Sequence, residues 1–366
     1  VQFNCSKVLN DNLSKLIGMR TEVGNLESAE FCADYIQQSL THLPLNITKL
    51  SSHNIPSLII TTKETKSPKL FLQAHLDVVP GKDDQFTLIE TEGNYIGRGV
   101  YDMKFAAACY LTLLEDIGDK LPNYDFGLML SFDEETGGED GVGYLLNKGY
   151  SCEACLLPDG GDDWGLEKTS NGILLMHLES KGKSAHGSRP WEGKNAIDNL
   201  LSALEQIKSL FGELKAHKSS VTISQITGGR AINQVPDYAK ATLDMRFITA
   251  KDMKEYRKQV ELIAEKYNLD ITIEAMVEGS DIDVSVPAIA IFLAIAKEFH
   301  GRDIKFCHSL GASDSRYFDD KNIPTIIIRP TGGDPHGDNE WINKDELLKF
   351  YELLKVYVTK TTQIQA

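Results

Sequence analysis

Residues 69–80 read KLFLQAHLDVVP: an apolar run with a histidine and an aspartate at its C-terminal end. The pattern recurs. Residues 126–138, FGLMLSFDEETGG, end in Asp133, Glu134 and Glu135; residues 154–162, ACLLPDGGD, deliver Asp159; residues 324–340, PTIIIRPTGGDPHGDNE, carry His336 and Glu340. Short apolar runs of this length predict buried strands, here Ser57–Thr61, Lys69–Gln73, Phe126–Phe132, Ala154–Pro158 and Thr325–Arg329. Helical patterns alternate with them at Ala29–Leu40, Lys104–Ile117, Val286–Phe299 and Lys344–Lys360, so the chain reads as an α/β protein. FAAACYLTLL at 105–114 is apolar nearly all round, which predicts a helix packed between layers.

The middle of the chain has a different rhythm. Strand-like Ile173–Ser180, Val221–Ile226, Tyr238–Phe247 and Ile271–Met276 are interleaved with helical Ala196–Phe211 and Lys251–Tyr267. Strand, helix, strand, strand, helix, strand is the order of a ferredoxin-like α+β module. The expected organisation is a larger domain from residues 1–171 plus 285–366, with 172–284 inserted as a smaller one.

Composition narrows the function classes. The 366 residues are 42% hydrophobic and 25% charged, normal for a globular protein. Thirty-eight basic against 53 acidic residues give a net charge of −15, which disfavours a phosphate-backbone partner, so nucleic acid is not expected. No apolar run reaches the ~18 residues of a membrane span. The opening VQFNCSKVLN lacks the basic-then-apolar layout of a secretory signal. Six cysteines do not make a disulfide framework, and Cys152 and Cys155, a lone CxxC, read as core thiols. A cytoplasmic location is the expectation.

In open α/β sheets, ligands collect at the carboxyl ends of strands. Four of the motifs sit there, and Asp102, in GRGVYDMK at 97–104, opens the apolar helix. Singly, each residue has a bland alternative: a helix N-cap for Asp102, a solvated loop for the Glu pair, a structural role for a lone His. Together, two histidines and several carboxylates form the donor set of a divalent-metal site, with more ligands than one catalytic zinc needs. Two ions sharing a bridging carboxylate would use the surplus.

HLDVVP, GRGVYDMK, DEETGG, PDGG and HGDNE, in this order from about residue 70 to 340 with GKSAHGSRPWEGKNAI between them, resemble the M20 metallopeptidase family of dizinc dipeptidases, aminoacylases, acetylornithine deacetylases and succinyl-diaminopimelate desuccinylases. The resemblance implies a phosphorylase/hydrolase-like mixed-sheet catalytic domain with an inserted ferredoxin-like lid and dimerisation domain. It implies that His75 and Asp159 bind one metal, Glu135 and His336 the other, and Asp102 bridges them. It also implies a cis peptide after the bridging residue, at Asp102–Met103. Asp77 would orient His75, and Glu134 would be general base and acid, the adjacent Glu side chains pointing opposite ways in extended chain. His186 matches the oxyanion donor of the inserted domain, which comes from the partner subunit in dimeric members. Asn233 matches a carbonyl-contacting residue, and Arg246 and Arg316 match arginines that grip a substrate carboxylate. For both arginines a surface ion pair is the alternative.

Position 159 is Asp where deacetylase and desuccinylase members usually carry Glu. In the family this goes more often with peptidases that bind a free amine, and Asp162 and Asp163 would reinforce such a site electrostatically. The expected function is dinuclear-metal cleavage of a dipeptide or small peptide. The ions are expected to be zinc, with cobalt or manganese also suited to the donors. N-acyl-amino-acid deacylation is the alternative, and a homodimer through the inserted domain is a further expectation. A degenerate, non-enzymatic binding module conflicts with the filled ligand positions.

Overall fold

A computed structural model describes residues 3–215, 218–311 and 313–364. The chain divides into two compact units: residues up to Lys168 with those from Ile282 onward, and Thr169–Asp281.

The first unit is built on a six-stranded mixed sheet in the order Asn46–Ser52, Ile55–Thr61, Phe126–Ser131, Leu70–His75, Ala154–Leu156, Thr325–Ile326. The first two strands form an antiparallel hairpin that joins Phe126–Ser131 antiparallel. The last four are mutually parallel. Leu70–His75 lies between parallel neighbours and all six of its residues are buried, which explains its unbroken apolar reading. Parallel pairing also sends the carboxyl ends of four strands to one edge, so the motifs that follow them share a location. The apolar helix Lys104–Ile117 is buried from Lys104 through Leu114 and packs between helix Cys5–Gly18 and the sheet. Helices Pro287–His300 and Lys344–Thr362 pack on each other and complete the same core.

One strand is shorter than its sequence predicts. The parallel ladder takes only Thr325–Ile326 of the expected Thr325–Arg329. Beyond it the backbone pairs with the loop after Asp159 instead: Glu167 N–H donates to the Ile327 carbonyl at 2.9 Å and Arg329 N–H to the Gly161 carbonyl at 3.2 Å.

The second unit is a four-stranded antiparallel sheet ordered Ser220–Gly228, Tyr238–Phe247, Gly172–Lys181, Leu269–Val277. Helices Ala196–Phe211 and Ala250–Lys266 pack on one face, against the alternate residues Leu174, Met176, Leu178, Leu243 and Met245. The architecture is thus a mixed-sheet α/β domain with a ferredoxin-like α+β insert. Among the described residues no helix is long and apolar enough to cross a membrane.

Candidate metal centre

His75 closes its strand and is 1% exposed. Its Nδ1 lies 3.1 Å from the Asp77 carbonyl oxygen and its Nε2 3.2 Å from Asp102 Oδ1. An Nδ1–H donated to the carbonyl leaves the Nε2 lone pair for a cation. Asp77 therefore orients the imidazole through its main chain; its Oδ1 is 3.5 Å from Nδ1. Burial opposes a charged imidazole, but Asp102 and Asp77 outweigh it and hold His75 well above the ordinary histidine range.

Asp102 sits at a cis peptide to Met103, just before the apolar helix. Its Oδ1 faces His75, and its Oδ2 lies 3.3 Å from His336 Nε2. Burial would raise this carboxyl; the two histidines hold it well below the usual carboxylate range. Two groups of ligand atoms, each within 4.8 Å of one another, form around it: His75, Glu134 and Asp159, then Asp102, Glu135 and His336. Asp102 touches a histidine of both.

Glu134 and Glu135 go to different groups, but not by alternation along an extended chain. They open a 3₁₀ turn, Glu134–Thr136, and the extended geometry expected from sequence is corrected here. The turn closes on Gly137 at φ 112° and Gly138 at φ 65°. A Cβ on Gly138 would fall 1.9 Å from Asp314 Oδ1, so that position requires glycine on both counts.

The electrostatics favour cations. Burial and the Asp159 carboxylate push Glu134 up to about 10, and burial and Asp102 push Asp159 up to about 7. Glu135 Oε1 is buried without a hydrogen-bond partner, His336 Nε2 lying 3.0 Å away. Crowded carboxylates beside two imidazoles are the donor chemistry of divalent ions, and the residues present fit them.

Surrounding groups fix the ligand loops. The Asp77 carboxylate accepts the backbone N–H of Glu134 at 3.3 Å and of Glu135 at 3.0 Å. Glu340, 1% exposed, accepts the N–H of Tyr101 at 2.8 Å and Asp102 at 2.9 Å on one oxygen. Its other oxygen takes Gly99 N–H at 2.9 Å and Arg98 Nη1 at 3.1 Å, while Arg98 Nη2 reaches the His336 carbonyl at 3.2 Å. Sequence reasoning does not single out Arg98, although it lies inside GRGVYDMK. Nor does it find Asp314, which is 1% exposed and accepts from Gln73 Nε2 at 3.1 Å beneath the Glu134 turn.

Asp162 does not supply free negative charge for an amine. Its Oδ1 accepts from Arg329 Nε at 2.7 Å and from the Tyr101 hydroxyl at 2.9 Å, so the expected electrostatic contribution is neutralised. Arg316 stands beside the Glu134 turn, its Nη2 donating to the Gly137 carbonyl and its guanidinium 4.9 Å from the Tyr317 ring centroid.

His186, Asn233 and Arg246 belong to the second unit. The first two are neighbours: His186 bridges Gln234, and Gly187 N–H donates to the Asn233 carbonyl at 2.7 Å. Both side chains are exposed, with His186 Nδ1 2.8 Å from Ser188 Oγ. Arg246 projects from the sheet face opposite the helices and makes a two-pronged pair with Asp244, at 2.7 and 3.0 Å.

Known proteins resemble this chain in sequence and in fold. A probable succinyl-diaminopimelate desuccinylase of Staphylococcus aureus is 27% identical over 400 aligned positions, covering 94% of this chain and 95% of that one. Aminopeptidase PepT of Bacillus cereus has the same fold, with a TM-score of 0.80 at 19% identity, covering 97% and 98% of the two chains. A Staphylococcus aureus tripeptidase aligns with a TM-score of 0.76 at 21% identity over 96% and 98%. The family model of peptidases M20/M25/M40 matches residues 71–360, from the His75 strand to the C-terminal helix, and so takes in every residue of the two ligand groups. By that match the chain belongs to peptidase family M20/M25/M40 and is a hydrolase.

Proposed function

We propose that this hydrolase is a dinuclear-metal amidohydrolase that cleaves the peptide bond of a dipeptide or small peptide. The observation that carries the reading is the pair of ligand groups joined through Asp102. His75 and Asp159 would hold one divalent ion, Glu135 and His336 the other, and Asp102 both. The donors suit zinc, and also cobalt or manganese. When bound, such ions acidify a water toward pKa ~7 and polarise the amide carbonyl.

Glu134 is the general base and acid. Its high proton affinity among buried carboxylates suits it to accept a proton from water and return it to the leaving amine. Asp77 holds the turn that aims it. His186 would donate to the developing oxyanion and Asn233 would contact the substrate carbonyl. Arg316 and Arg246 would grip the substrate carboxylate in the two-pronged way guanidinium allows, Arg246 exchanging Asp244 for it. The inserted unit would act as lid and as the pairing surface of a homodimer, in the cytoplasm.

Asp159, rather than Glu, supports a peptidase with a free-amine substrate. The names of the curated relatives favour the second reading, deacylation of an N-acyl amino acid, since several are called succinyl-diaminopimelate desuccinylases. A mass-spectrometric hydrolysis screen of the zinc-loaded protein decides between them, with free-amine dipeptides, N-acetyl and N-succinyl amino acids in one pool. Turnover of the dipeptides alone is expected; turnover of the acylated compounds alone would transfer the protein to the deacylases.

A further inference from the structure

Arg329 ends the PTIIIR run and has no part in the chemistry described above. It is 7% exposed, and a buried guanidinium is costly unless its surroundings use its charge and its donors. Its surroundings are the two loops that carry Asp102 and Asp159. On the Asp159 side, Arg329 N–H donates to the Gly161 carbonyl at 3.2 Å and its own carbonyl accepts Trp164 N–H at 3.0 Å. Its Nε donates to Asp162 Oδ1 at 2.7 Å. On the Asp102 side, its guanidinium lies 4.1 Å from the centroid of the Tyr101 ring, and the Tyr101 hydroxyl donates to the same Asp162 oxygen at 2.9 Å. Tyr101 precedes Asp102 directly in the chain, and Gly161 follows Asp159 by two residues.

We propose that Arg329, stacked on Tyr101 and bonded to Asp162, is a positioning residue that locks the Asp102 loop to the Asp159 loop and thereby sets the spacing of the metal ligands. The inference rests on the metal-centre reading above. Metal affinity depends on ligand placement to within about 0.2 Å, and loss of an outer partner typically costs 10–100-fold in affinity. A guanidinium near two cations also repels them, a charge effect that Arg329→Lys preserves. Asp162 already cancels much of that charge, so ligand placement outweighs repulsion.

The variants that keep the charge make the test decisive. The metal-free full-length protein is titrated with Zn²⁺ against a chromophoric chelator, for wild type, Arg329→Met, Arg329→Lys and Tyr101→Phe. Urea unfolding of each metal-free protein reports whether it is folded. Positioning predicts that Arg329→Met binds zinc 10–100-fold more weakly. Arg329→Lys, which keeps the charge but loses the plane and the Nε contact, should also bind more weakly. Tyr101→Phe, which keeps the ring and loses the bond to Asp162, should lose several-fold. Binding within twofold of wild type, or tighter, in the folded variants overturns the inference and leaves the metal centre standing. If Arg329→Met does not fold, the other two variants decide on the same criterion. Failure of the wild type itself to take up zinc overturns the metal-centre reading and this inference with it.

Discussion

The Asp77 carboxylate accepts the backbone N–H of Glu135 at 3.0 Å. Its other oxygen takes Glu134 N–H at 3.3 Å, and its main-chain carbonyl takes His75 Nδ1 at 3.1 Å. One residue therefore fixes a ligand of the first group and the turn that sends successive glutamates to different groups. Asp77→Asn keeps the shape but turns an acceptor into a donor that faces backbone N–H groups. Zinc affinity should fall 10–100-fold and kcat with it. Calorimetric zinc titration that matches wild type would show that the clamp is dispensable.

Glu134→Ala separates proton transfer from metal binding. Elemental analysis should return the wild-type metal content, while kcat falls by about 10²–10⁴-fold, as for a lost general base. Loss of metal in this variant would mean that Glu134 is a ligand, as its place beside His75 and Asp159 allows geometrically, and that the roles of the two glutamates are exchanged.

Much of this was legible in the sequence because the chemistry follows unbroken apolar runs. KLFLQ and FGLMLS are interior strands of the sheet, buried on both faces, so length and flanking residues sufficed to find them and the residues at their ends. Helix Lys104–Ile117 declared itself by being apolar on all faces. What escaped was set by tertiary partners. Helix Cys5–Gly18 shows its burial stripe only at Leu9, Leu13, Leu16 and Ile17, among polar neighbours, and strand Asn46–Ser52 is an edge with no buried residue. Arg98, Asp314 and Arg329 were unreadable as site residues because each acts through a partner distant in the chain: Glu340, Gln73 and Tyr101. The same is true of the neutralised Asp162.

Glu340 joins the loops of Asp102 and His336 by accepting three backbone N–H groups and Arg98. In Glu340→Gln one of those oxygens becomes an NH₂ that opposes buried donors, and Arg98 is left as a buried charge without its partner. Breaking such a pair costs about 3–5 kcal/mol. Urea unfolding should report a loss of that order, accompanied by weaker zinc binding. A change below about 1 kcal/mol would show that water or Arg98 alone satisfies the loop.

His186→Ala tests the second unit. The side chain is exposed and contacts Ser188, so its removal should leave unfolding and zinc content at wild-type values. As an oxyanion donor it should still cost about 10²–10³ in kcat. Turnover equal to wild type would sink the oxyanion role and return His186 to the surface.

Asp319 gives a stability prediction independent of metal. It ends the helix Ser315–Asp319, and burial together with neighbouring Asp320 raises its carboxyl from 3.8 to about 6. An unfolded chain releases this proton near pH 4, while the folded one holds it to about pH 6. Between those values the folded state binds more protons, so stability falls as pH rises, and the deficit is complete above pH 6. A negative charge at a helix C-terminus acts in the same direction. Asp319→Asn has no proton to lose and nearly the same shape. It should stabilise the protein by about 1–3 kcal/mol at pH 7 and by much less at pH 4. Urea unfolding of both proteins at the two pH values isolates this carboxyl, because every other titrating group is common to them. A gain that does not depend on pH would assign the effect to the helix end alone, and no gain at pH 7 would mean that the folded protein carries this carboxylate without penalty.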